Sequence, residues 1–235
     1  MWATDRVPFL FLHGAGGTKS KWRLVQERLS SVGAEYVDLP GHGTDSGLAA
    51  TSIEKCAEML SPTIHQDMMV VGHSMGGLIG IELAMRNKHV KGLVLVSSHY
   101  TLPVHPTVLS QLAEGGFPES LFYASYNKQA SKELLEQELA ELSLVSQQTA
   151  FLDFDSCNAY SGGKEAFSRL EIPILALYGS SDRLLPRTAM EDAMAANPRV
   201  STRVVQDSSH YIMLEQPGEF VRALLHFHDA TFREA

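Results

Sequence analysis

Short apolar runs alternate along this chain with stretches of helical periodicity, and no other feature constrains the fold as much. Residues 7–12 (V-P-F-L-F-L) read as a buried strand closed by His13-Gly14, and residues 35–39 as a second, ended by Pro40-Gly41-His42-Gly43. Residues 68–72, 90–96, 174–178 and 202–205 read as four more. Between and after them lie helical patterns over residues 22–29, 53–64 (with Ser52 as N-cap), 75–86, 188–196 and 217–228. Continuous apolar runs, rather than alternating ones, belong to parallel strands covered on both faces. The expectation is an α/β chain with a mainly parallel six-stranded sheet flanked by helices.

The rhythm breaks between residues 98 and 169. This stretch holds no convincing strand, residues 131–145 repeat Leu at helical spacing, and Phe117, Phe122, Tyr123, Tyr126, Phe151, Phe154 and Tyr160 crowd around them. About 70 residues between two strands far exceeds an ordinary crossover. We expect a helical cap at 98–169 set into a core formed by 1–97 and 170–235, over the end of the sheet where ligands bind.

Composition narrows the class. A chain of 235 residues, 44% hydrophobic, suits one globular core. The net charge of −8 and the scatter of its Lys and Arg argue against nucleic acid and suit neutral or cationic small molecules. Cys56 and Cys157 are expected as buried free thiols in a reducing cytoplasm. The N-terminus lacks the charged and cleavable features of a secretory leader, and no apolar stretch approaches the roughly 18 residues of a membrane span. A cytoplasmic protein is expected, without stable membrane insertion.

The chemistry concentrates at Gly72-His73-Ser74-Met75-Gly76-Gly77, a G-x-S-x-G string. The string alone is common, but here an apolar strand runs into it and a helix leaves it, the strand–turn–helix setting of a nucleophile elbow. Such a turn strains the serine backbone and brings strand and helix too close for side chains at Gly72 and Gly76. Acyl transfer also needs two backbone N–H groups aimed at the oxyanion. One belongs to the residue after the nucleophile, Met75. For the other we take Ala15, within His13-Gly14-Ala15-Gly16-Gly17 after the first strand. That loop is not a phosphate loop, because G-x-x-x-x-G-K-[ST] aligned on Lys19-Ser20 would need glycines where His13 and Thr18 stand. His13 is expected to stabilise the loop.

Ten histidines compete to be the base. In a doubly wound sheet the catalytic loops follow strands, and His210 follows one through Gln206-Asp207-Ser208-Ser209. His73 is adjacent to the serine on a tight turn and points elsewhere. For the acid, Gly179-Ser180-Ser181-Asp182 again follows a strand. Asp182 would accept Nδ1–H, set the tautomer and stabilise the imidazolium formed when Ser74 loses its proton. Asp207, close to His210, reads as a turn former.

Taken together, H-G-A-G-G at 13–17, D-L-P-G-H-G at 38–43, G-H-S-M-G-G at 72–77, G-S-S-D at 179–182 and S-H-Y at 209–211 make the chain resemble the α/β-hydrolase superfamily over nearly its whole length. D-L-P-G-H-G is similar to the branch of small carboxylesterases, monoacylglycerol lipases, carbon–carbon bond hydrolases and a menaquinone-pathway lyase. The resemblance implies an α/β-hydrolase fold, catalysis without a cofactor, and a site roofed by the insert. It places residue 7 at the family's third strand, hence a trimmed sheet. Serine at position 74 argues against dehalogenase and epoxide-hydrolase branches, which need aspartate. The expected activity is hydrolysis of small uncharged carboxylic esters through an acyl-enzyme, with Phe117, Phe122, Phe151 and Phe154 lining an apolar pocket. The alternatives are a carbon–carbon hydrolase or lyase using the same triad, and a receptor that retains it. Metal-ligand spacings such as H-E-x-x-H do not occur.

Overall fold

Phe9 and Phe11 turn to one side of β1 (Phe9–Leu12), Leu10 and Leu12 to the other, and all four are buried. The same alternation runs through β3 (Met68–His73), β4 (Val90–Val96) and β5 (Ile174–Gly179), each supplying side chains to two separate apolar clusters. With β2 (Ala34–Val37) and β6 (Val200–Val205) they form one six-stranded sheet in the order β2-β1-β3-β4-β5-β6, and all five pairings are parallel. The structure, a computed structural model, describes residues 6–30, 32–44, 47 and 49–232. Residues 1–5, which carried the argument against a leader, lie outside the described residues.

The helices follow in chain order. A one-turn α1 (Arg23–Gln26) lies between 3-10 turns at Lys19–Trp22 and Glu27–Leu29. The expected helix over 22–29 is thus tightened at both ends, yet Trp22, Val25 and Leu29 keep the buried stripe that the periodicity predicted. α2 (Ile53–Leu60) starts where Ser52 Oγ accepts from the Lys55 N–H at 3.1 Å. α3 (Met75–Arg86) is buried on most sides. Between β4 and β5 come α4 (Pro106–Ala113), α5 (Glu119–Ala124), α6 (Lys132–Leu142), α7 (Gln147–Ala159) and α8 (Gly163–Ser168). After β5 come α9 (Ala189–Ala196), then, beyond β6, α10 (Ile212–Glu215) and α11 (Pro217–Phe232).

One sheet face is covered by α2, α3 and α9, the other by Trp22, α10 and α11. Because the chain steps outward from β1 to β2 and then returns to β3, strand order reverses between β1 and β3. Crevices at such reversals, beyond the strands' C-terminal ends, are where this class of sheet holds ligands. The 13–17 loop and Ser74 both emerge there.

The segment between β4 and β5 is tied down by buried charge. Glu138 of α6 is fully buried; its Oε2 accepts from Lys21 and from Tyr126 Oη (2.9 Å), and its Oε1 forms an ion pair with Arg23 Nη2 at 2.7 Å.

Candidate active site

Ser74 occupies the junction of β3 and α3 with φ 49° and ψ −116°, a region that side-chain-bearing residues rarely enter. The turn is possible because a Cβ at Gly72 would lie 2.2 Å from Gly76 O, and one at Gly76 would lie 2.5 Å from Leu12 O. Backbone contacts hold the strained residue: its N–H donates to Val96 O (3.0 Å), and Ser98 Oγ donates to its carbonyl (2.7 Å).

Asp182 and His210 arrive from the ends of β5 and β6. His210 Nδ1 donates to Asp182 Oδ2 at 3.0 Å, since an ionised carboxylate can only accept. Nε2 is left for the cavity that His210 and Ser74 both line. Burial raises the Asp182 carboxyl, but the neighbouring His210 and the Leu184 N–H (2.9 Å) outweigh it and hold the group below the usual carboxylate range. Asp207 has φ 54° and is exposed, the turn former expected.

Two other histidines support these loops. His73 is buried and held well below the usual histidine range, first by burial and then by His210, so its ring is neutral; Nε2 donates to His210 O at 3.0 Å. Burial likewise pushes His13 down to about 3; its Nε2 accepts from the Leu39 N–H (3.0 Å) and its Nδ1 donates to Gly14 O (2.9 Å).

In the 14–17 loop, the Gly17 N–H donates to Gly14 O (3.2 Å) and the Gly16 N–H to Asp153 Oδ2 (2.8 Å). The Ala15 N–H is engaged by nothing among the described residues, and Ala15 lines the cavity beside Ser74. Met75 opens α3, so its N–H is one of the first four without an intrahelical carbonyl.

The cavity measures about 390 Å³ and is mostly apolar, walled by residues such as Leu102, Val104, Leu121, Phe154, Cys157 and Leu184. Of the four phenylalanines expected there, only Phe154 reaches it. Phe117 stands edge-on behind Phe154, with ring centroids 6.1 Å apart. Phe122 is 3% exposed and packs on Tyr123 and Tyr126, because it turns away from the helix side that presents its neighbour Leu121. Phe151, partly buried one turn before Phe154, is not on the cavity wall. The sequence reading missed Leu184 and Leu185, although two leucines in a loop directly after Asp182 are a usable signal. Both cysteines are free and buried. Among the described residues no group of His, Cys, Asp or Glu could hold a metal ion, and no helix is long and apolar enough to cross a membrane.

Comparison with known proteins bears on this geometry. The profile of the alpha/beta hydrolase family matches residues 9–223. A pimeloyl-(acyl-carrier protein) methyl ester esterase of Citrobacter koseri is 27% identical over 250 residues, spanning 95% of this chain and 96% of that one. Among solved structures, a thermophilic esterase superposes with a TM-score of 0.81 at 25% identity, over 97% of this chain and 91% of that one. A thermophilic esterase from Thermogutta terrifontis gives 0.86 at 20% identity, over 96% and 90%.

Proposed function

The chain belongs to the alpha/beta hydrolase family, and on that premise we propose that it is a serine esterase acting on small uncharged carboxylic esters through an acyl-enzyme. His210 takes the proton of Ser74, whose oxygen attacks the ester carbonyl. The N–H groups of Met75 and Ala15 hold the oxyanion, and Asp182 keeps Nδ1–H in place and stabilises the imidazolium. Collapse expels the alcohol, which takes its proton from His210. Water, activated by the same imidazole, then releases the acid.

The observation that carries this reading is that Ser74, on a strained elbow, and His210, oriented by Asp182, line one apolar cavity together with Ala15. The relatives support ester chemistry: the Citrobacter koseri protein is named as an esterase of a pimeloyl-(acyl-carrier protein) methyl ester. We take 98–169 as a cap over the site, with α4, α5 and α7 contributing cavity walls, and we place the protein in the cytoplasm.

A panel of p-nitrophenyl esters of increasing acyl length tests the reading, with the wild-type chain, with Ser74→Ala and with a fluorophosphonate. Sustained turnover of wild type, loss of about four to six orders of magnitude in the variant, and covalent labelling at Ser74 are expected. Turnover retained in Ser74→Ala refutes it.

A further inference from the structure

One buried carboxylate on α7 has no part in that scheme. Asp153 is 5% exposed, and its Oδ2 receives two donors at once: the Gly16 N–H at 2.8 Å and His42 Nε2 at 2.8 Å. The other ring nitrogen of His42 lies 3.2 Å from Pro40 O. A carbonyl and an ionised carboxylate can only accept, so the two contacts favour the doubly protonated ring. Burial alone would lower its pKa, but the hydrogen bond and charge of Asp153 more than reverse this and raise it. Asp153 and His42 therefore form a buried ion pair joining α7 to the 38–43 loop, with the Gly16 amide as a third member.

We propose that Asp153 is a positioning residue for the oxyanion site, acting through Gly16; this rests on the reading of Ser74 as nucleophile and Ala15 as donor. Gly16 N–H and Ala15 C=O share one rigid peptide plane. A fixed acceptor for Gly16 sets that plane and the Cα of Ala15, a residue that lines the cavity and whose N–H has no acceptor among the described residues. Gly16 sits at φ +63°, the conformation that lets the loop turn toward the helix. Glycine at 14, 16 and 17 gives this loop wide backbone freedom, which a fixed acceptor for Gly16 restricts. A carboxylate placed here would ordinarily repel a developing oxyanion, and the His42 imidazolium cancels that charge. α7 also brings Phe154 and Cys157 to the cavity, so one helix supports both the acyl wall and the donor loop.

Two variants of similar shape test this. Asp153→Leu removes the acceptor, and Asp153→Asn keeps an oxygen for Gly16. Asp153→Leu is expected to lose about 10- to 100-fold in kcat with KM little changed. A trifluoromethyl ketone, whose adduct with Ser74 carries the oxyanion, should weaken by a similar factor. Asp153→Asn should recover most of both. Wild-type kcat in Asp153→Leu, or a loss confined to KM with unchanged ketone inhibition, overturns the proposal. Should Asp153→Leu not fold, Asp153→Asn decides: near-wild-type kcat and ketone inhibition support it, and loss of both to the 100-fold level overturns it. Fluorophosphonate labelling of wild type separates the two readings. Ser74 labelled with an indifferent Asp153→Leu sinks this inference alone, whereas Ser74 spared in wild type sinks both.

Discussion

His73 Nε2 donates to the backbone carbonyl of His210 at 3.0 Å, so the histidine beside the proposed nucleophile buttresses the loop carrying the proposed base. Their ring centroids are 4.9 Å apart. The contact joins residues that lie 137 positions apart.

This contact predicts a catalytic cost without loss of the fold. His73→Phe fills the space but leaves the His210 carbonyl without its donor. We expect kcat on a p-nitrophenyl ester to fall about 10- to 100-fold through misplacement of the imidazole. Unchanged kcat in a folded variant would show that the loop holds its place without His73.

Asp182→Asn should be more damaging. The amide can present its N–H to His210 Nδ1 and so select the wrong tautomer, leaving Nε2 protonated and unable to accept from Ser74. A loss of about four orders of magnitude in kcat is expected at neutral pH. Stability should change with the opposite emphasis on acid. The Asp182 carboxyl lies below its usual range when folded, so its contribution is present at neutral pH and vanishes as pH falls through that lowered value. The wild-type advantage in Tm over the variant should shrink toward strongly acid pH.

His13 predicts a second pH effect. Folded, it stays neutral down to about 3, whereas unfolded it takes a proton near 6.5. Between those values the unfolded chain binds the extra proton, so stability falls as pH is lowered through that window, and above it His13 adds no slope. His13→Gln, which can still accept from the Leu39 N–H, should flatten urea-unfolding stability against pH between about 6 and 4. An identical slope in wild type and variant would contradict the buried neutral ring.

Acyl selectivity should follow the cavity wall. Leu121 presents a modest side chain to the pocket beside Phe154, and Leu121→Trp would fill much of it. The ratio of kcat/KM for a hexanoyl over an acetyl p-nitrophenyl ester should fall by about tenfold or more. A ratio that does not move would place the acyl group elsewhere.

Much of this was legible before any coordinate was known. The strands at 68–73, 90–96 and 174–179 lie within a residue or so of where apolar runs put them, because burial on both faces demands unbroken hydrophobicity. β6 begins at Val200 rather than at 202, since pairing of Ile174 with Val200 sets its start, not its half-exposed composition. α7 escaped notice because its buried stripe includes Thr149, Asp153 and Ser156, polar residues that erase the hydrophobic period.

What the sequence determined by itself was local: the strand–turn–helix at Ser74, dictated by glycines that no side chain could replace, and the strand ends from which Asp182 and His210 project. Tertiary structure alone decided which aromatic rings face the cavity and that Asp153 meets Gly16 and His42 across 137 and 111 positions. Backbone sterics act between neighbours and leave a trace in residue order. The pairing of a buried charge is settled only when distant segments pack and water is excluded, and no spacing in the string records it.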